Sequence, residues 1–156
     1  MSKQSAVDRA ARAAERFGAA ADAVDAAAAD VLGVNRTDLR ILGAVVDGAL
    51  SAGRVAEAVG LSPAAATTAI QRLVASGYLT REPDPQDRRR AVVELTPAAR
   101  RLAERIYGPV GDAGVAELQR FTAAELEVIT EFLERGNALQ LAQAERIRGL
   151  AREEAR

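Results

Sequence analysis

A chain of 156 residues with neither cysteine nor histidine is long enough to bury a core unaided. It forgoes disulfides, thiol redox chemistry, imidazole catalysis and the common zinc sites. The formal net charge is -1, yet Ser51 to Arg105 holds nine arginines against six acids, a surplus of three that leaves -4 for the remainder. A basic middle between acidic ends is the pattern of a protein with one face for a polyanion.

Alanine is abundant and aromatics are scarce, which favours close-packed helices. No apolar run is long enough to cross a bilayer, and "MSKQSAVDRAARAAE" contains no signal-peptide core, so a cytoplasmic protein without a membrane segment is expected. From Ser5 to Leu32, Phe17, Val24 and Val31 recur every seven positions, and Val7, Ala10, Ala14, Ala21 and Ala28 fill a 3-4 spacing between them. That is a seam for packing along another helix. "LGVN" ends this helix, Thr37 is the expected cap of a second, and Leu39, Leu42, Val46 and Leu50 carry that helix to "SAG" at 51–53.

A short helix, Arg54 to Val59, is followed by "GLSP". Gly60 suits a left-handed helix end, Ser62 an N-cap, and Pro63 the first position of the next helix. Two helices joined so tightly, the first only about two turns long, form a helix-turn-helix. The second of them, Pro63 to about Ser76, turns Ala66, Ile70, Leu73 and Gly77 to one side. Ala64, Thr68, Gln71, Arg72 and Ala75 lie opposite, with Ala65 and Thr67 on the flanks. This outer surface is small and polar. Small residues let a helix sink into the major groove, where Thr touches a thymine methyl, Gln pairs with adenine, and Arg with guanine or a phosphate.

Tyr78 to Glu82 and Arg90 to Leu95 read as two strands, with Ala91, Val93 and Leu95 on one face of the second. The connecting "PDPQDRR" is turn chemistry, which sets Arg88, Arg89 and Arg90 at the tip and rim of a β-hairpin. Arginine is favoured in a narrow minor groove by the concentrated negative potential there. Arg54, Arg72 and Arg81 join the wing as phosphate contacts. Thr96-Pro97 opens a helix to about Gln119 in which Pro109 predicts a kink or a break. "TAAE" at 122–125 is a capping box for a final helix to about Arg152, striped with Leu126, Ile129, Leu133, Leu139, Ile147 and Leu150.

The expected fold is mainly α with a small β wing: a winged helix-turn-helix between long N- and C-terminal helices. In this order, and with these residues, the chain resembles the MarR family of transcription regulators over nearly its whole length. The most specific part is "GYLTREPDPQDRRRAVVELT", similar to a wing in which Asp-x-Arg (Asp87 and Arg89) precedes Val-x-Leu-Thr (Val93, Leu95 and Thr96). "VAEAVGLSPAAATTAIQRLVASG" looks like the family's paired recognition helices. Where the family usually has a glycine after the threonine this chain has Ala99, which leaves the start of the fifth helix open.

The resemblance implies a single domain over 1–156, with dimerisation helices at 5–34 and 97–152 and a DNA-binding lobe at 37–96. It implies a homodimer, and the apolar stripes of the terminal helices support one independently, being more than a thin winged domain can cover. A two-fold dimer reads a pseudo-palindrome in double-stranded DNA. By the same resemblance Asp87 orients Arg89, and Arg89 or Arg88 enters the minor groove. Many members are repressors released by small aromatic acids; others sense oxidants through cysteine or need zinc-binding histidines, neither of which this chain has. A small aromatic or organic-acid ligand, or none, is left, and no cofactor or metal. Arg36 and Arg40 read as surface arginines rather than carboxylate ligands.

The DNA-contacting set is therefore Arg54, Ser62, Ala64, Ala65, Thr67, Thr68, Gln71, Arg72, Arg81, Asp87, Arg88, Arg89 and Arg90. One rival is a winged helix that binds protein and not DNA; three wing arginines weigh against it. An enzyme is the other. No nucleophile, base or phosphate-loop constellation exists, and Glu153-Glu154 is a solvated helix tail.

Overall fold

The computed structural model describes residues 2–84, 87 and 91–154, the last four by their backbone alone. Among the described residues six helices and three strands run α1 (Lys3–Leu32), α2 (Arg36–Ala44), β1 (Leu50–Ser51), α3 (Ala52–Val59), α4 (Pro63–Ala75), β2 (Leu79–Pro83), β3 (Ala91–Leu95), α5 (Pro97–Leu118) and α6 (Ala123–Glu154). The chain divides into two compact units, residues 1–106 and residues 107–156.

In the first unit a three-helix cluster packs on a small sheet. Ile41, Val45, Val55 and Ala66 are fully buried, and Leu73, Leu79, Val93, Val59 and Ile70 nearly so. The sheet is antiparallel in the order β1-β3-β2. β2 and β3 pair from Leu79 opposite Leu95 to Pro83 opposite Ala91. The predicted inner face of β3 is found at Val93 and Leu95, but Val92 is buried as well. β3 is the central strand, with Ser51 and Glu82 opposite Val92 on its two sides.

The helix ends follow local chemistry. Gly33 and Gly60 adopt left-handed φ of 63° and 69°, a conformation that disfavours any side chain, and close α1 and α3 with backbone bonds to the preceding turn. Ser62 accepts from the Ala65 amide at 3.2 Å, with Pro63 at the first helical position of α4.

Three expectations are corrected. The cap of α2 is Asn35, whose Oδ1 accepts from the Asp38 amide at 2.8 Å, and not Thr37, which stands inside the helix. α2 ends at Ala44 instead of reaching Leu50. Leu50 and Ser51 leave the helical path because their backbones pair with Val93 and Val92. Ser51 then caps α3, taking the Arg54 amide at 3.3 Å. The third concerns Pro109, where a kink or break was expected: α5 runs through it without a break. A proline deletes one N–H bond and crowds the carbonyl four residues earlier, and the helix is sustained by the bonds on either side.

Thr96 joins both halves of the winged lobe. Its hydroxyl donates to the Gly77 carbonyl at 2.8 Å and accepts from the Ala99 amide at 3.2 Å, and its amide donates to the Tyr78 carbonyl at 3.0 Å. α5 thus starts at Pro97 with Thr96 as its cap, and Ala99 is buried. In the second unit the capping box forms as read. Thr122 donates from its amide and hydroxyl to Glu125, each at 2.8 Å, and the Glu125 amide returns to Thr122 at 3.4 Å. The amide bond first, and the hydroxyl bond second, hold the Glu125 carboxyl below its ordinary value. A depressed carboxylate contributes stability above its unfolded pKa and loses it as pH falls through the folded one, so this cap is intact at neutral pH and fades in acid.

Candidate nucleic-acid interface

α4 is held from behind by Ala66, Ala69, Ile70 and Leu73, all buried. That leaves Ser62, Ala64, Ala65, Thr67, Thr68, Gln71, Arg72 and Ala75 exposed on its other side. Gly77, expected on the inner side of the helix, instead lies beyond its end with a φ of 76° and turns the chain toward β2. The two threonines are oriented by the helix itself. Thr67 Oγ1 donates to the Pro63 carbonyl at 2.9 Å and Thr68 Oγ1 to the Ala64 carbonyl at 3.1 Å. Each hydroxyl proton is committed to the backbone, so what these residues offer a partner is a methyl group and an acceptor oxygen.

The remaining charged residues of the set lie on α3, on β2 and in the segment between β2 and β3. Arg54 is exposed on α3 and pairs with Glu57 at 2.7 Å. Arg81 is exposed on β2 opposite Val93. Asp87 is exposed in the hairpin loop, and Arg88, Arg89 and Arg90 lie outside the described residues. The structure thus brings Arg54 and the α4 residues onto the exterior of one helix-turn-helix, with Arg81 on the adjoining hairpin.

Arg72 has a partner that the linear reading missed. Its Nε donates to Asp38 Oδ2 at 2.9 Å and its Nη2 to Asp38 Oδ1 at 2.5 Å, a two-point fork from α4 to α2. The hydrogen bond and then the charge of Asp38 raise the Arg72 pKa above its ordinary value. Asp38 is the one buried charged residue among the described residues. Nothing in "RTDLR" distinguishes it from a solvated acid, because its partner is 34 residues away. Beside this pair, an open groove of about 520 Å³ runs between the start of α2 and α4, lined by Asn35, Arg36, Thr37, Leu61, Ala65, Thr68, Ala69 and Arg72. Arg36 is exposed and pairs with Asp22 at 2.9 Å. Two more ties frame the lobe: Tyr78 donates its hydroxyl to the Leu32 carbonyl at 2.5 Å, and Arg100 Nη1 donates to the Val46 carbonyl at 2.9 Å.

A three-helix cluster, a tight turn into an exposed helix and a β-hairpin behind it define a winged helix-turn-helix. Comparison with known proteins narrows the class. A family model described as MarR family matches residues 32–90. An uncharacterized HTH-type transcriptional regulator, YcgE of Bacillus subtilis (strain 168), is 31% identical over 123 residues, covering 78% of this chain and 80% of the relative. The chain belongs to the MarR family of transcriptional regulators, a family defined by regulation and not by catalysis.

Solved structures share the fold at lower identity. A mutant of MepR from a multidrug-resistant S. aureus clinical isolate superimposes with a TM-score of 0.65 at 14% identity, covering 83% of this chain and 96% of that one. A mutant of MarR from E. coli, complexed with operator DNA, gives 0.54 at 20% identity, covering 86% and 98%. Among the described residues no helix is long and apolar enough to cross a membrane.

Proposed function

We propose that the protein is a homodimeric, sequence-specific DNA-binding repressor that works in the cytoplasm. In it residues 37–96 form the DNA-binding lobe, and 5–34 and 97–152 the dimerisation helices, of a single domain. The observation that carries this reading is the outer side of α4: exposed, small and polar, over four buried residues that fix its depth. In the major groove Ala64, Ala65 and the methyls of Thr67 and Thr68 allow close approach, and Gln71 supplies the bidentate contact suited to adenine. Ser62, at the helix start, and Arg54 and Arg81 meet phosphates, Arg72 meets a guanine edge, and the wing reaches the minor groove through Arg88, Arg89 and Arg90. A second copy covers the exposed apolar residues of α1 and of α6.

Selection of bound duplexes from a random pool tests the reading. The expected winner has two-fold symmetry, with half-sites about 10 bp apart; enrichment of no sequence, or of an asymmetric one, overturns it. The same selected duplex, challenged with small aromatic carboxylates, reads out the proposed effector class, a small aromatic or organic acid. A chain without cysteine or histidine has no thiol or imidazole sensor to offer in its place.

Within the wing, Asp87 holds Arg89 in its working orientation. Losing one charge-assisted contact of this kind weakens binding about tenfold or more. Asp87→Ala is therefore expected to bind the selected duplex about tenfold more weakly while its unfolding midpoint and oligomeric state stay put. Binding at wild-type strength removes Asp87 from the mechanism.

A further inference from the structure

We infer that Asp38 is a positioning residue for DNA recognition: from its buried place on α2 it grips one edge of the Arg72 guanidinium, through Nε and Nη2, and thereby fixes both α4 and the remaining donor, Nη1. The inference rests on the reading of α4 as the DNA-contacting helix. Three observations carry it. Asp38 is buried, its side chain 4% exposed, whereas that of Arg72 remains 47% exposed. The carboxylate takes Nε and Nη2 in a fork, leaving Nη1 without a hydrogen bond among the described residues. Arg72 also lines the groove beside α4 together with Ala65 and Thr68, two residues of the proposed reading surface.

A planar guanidinium held at two points loses most of its rotational freedom before any partner arrives, and a contact made by a preorganised group costs less ordering on binding. Asp38 is aligned in turn, because its own amide donates to the Asn35 side chain at the cap of α2. The series Asn35, Asp38, Arg72 runs from the start of α2 to the exposed side of α4.

The sign of the charge effect makes the inference testable. Asp38 is an anion in the lobe that meets a polyanion, so electrostatics alone predicts that Asp38→Asn tightens binding to every duplex. Positioning predicts a loss, confined to the sequence the helix reads. Wild type, Asp38→Asn, Arg72→Lys and the double variant are titrated against the selected duplex and a scrambled duplex of equal length, with thermal unfolding as the check on folding. Asp38→Asn is expected to weaken the selected duplex about tenfold and to leave the scrambled one unchanged or tighter. Arg72→Lys, which keeps the charge and loses the fork, is expected to do the same to the selected duplex, and the two losses are expected not to add.

Equal shifts on both duplexes, tighter binding of both, or additive losses overturn the inference while leaving the reading of α4 intact. A wild-type protein that does not distinguish the two duplexes overturns that reading itself. Should Asp38→Asn fail to fold, Arg72→Lys carries the test alone: a loss confined to the selected duplex supports positioning, and an equal or absent loss sinks it.

Discussion

Affinity for duplex DNA is expected to fall roughly a thousandfold between 50 and 200 mM salt, the effect of about six neutralised phosphates per complex. The donors are the cations on and beside the helix-turn-helix. Arg54 is tied to Glu57, but both side chains are 70% exposed, and an ion pair so exposed contributes little, so Arg54 exchanges Glu57 for a phosphate readily. Arg81 stands exposed on β2, and three further arginines at 88–90 follow in the sequence. Each contact adds about -0.9 to the slope of log affinity against log salt, and Arg54→Ala, which removes one contact from each subunit of the dimer, is expected to make the slope shallower by about two. Titration by fluorescence anisotropy at four or five salt concentrations measures both numbers. A slope near zero sinks the DNA reading and leaves the rival, a winged helix that docks on protein.

Where the sequence was legible, the information was local. "GLSP" specifies a left-handed glycine, a serine cap and an N1 proline within four residues, and Gly60, Ser62 and Pro63 take those three roles. The capping box at Thr122 and Glu125 is equally short-range. The inner face of α4 followed from helical period alone at Ala66, Ile70 and Leu73, although Ala69, also buried, is indistinguishable by composition from the exposed alanines around it.

Pairing across the chain was illegible. Leu50 fits the stripe of α2 by spacing, yet its backbone belongs with Val93, 43 residues on. A strand two residues long carries no period to detect. Asn35 and Thr37 are both acceptable caps by residue type, and only the course of the chain after Gly33 decides for Asn35. Asp38 and Arg72 each look like surface charge until the fold sets α2 against α4. Thr96 was legible as a cap, but its bond to Gly77, which ties the end of α4 to the start of α5, was not.

Phe17→Asp is expected to break the dimer and, with it, operator binding. Phe17 is 72% exposed on α1, and Val31, two heptads further along the same seam, is 67% exposed. In a lone chain a charge at so open a position changes stability by no more than about 0.5 kcal/mol. Against a second copy the same carboxylate is buried without a partner, at an effective penalty of several kcal/mol, and two-fold symmetry places the lesion at the seam in both subunits. Dimeric protein holds its second half-site at a local concentration in the millimolar range, worth about 10²–10⁴ in overall affinity when both sites engage. The variant is therefore expected to sediment as a folded monomer, with wild-type helical content, and to lose at least a hundredfold in affinity for the symmetric duplex. Its affinity for a single half-site should be unchanged, which separates a broken seam from a damaged reading helix. A variant that stays dimeric removes the Phe17 stripe from the seam. The same substitution at Leu139, 60% exposed on α6, then asks whether the last helix alone holds the subunits together.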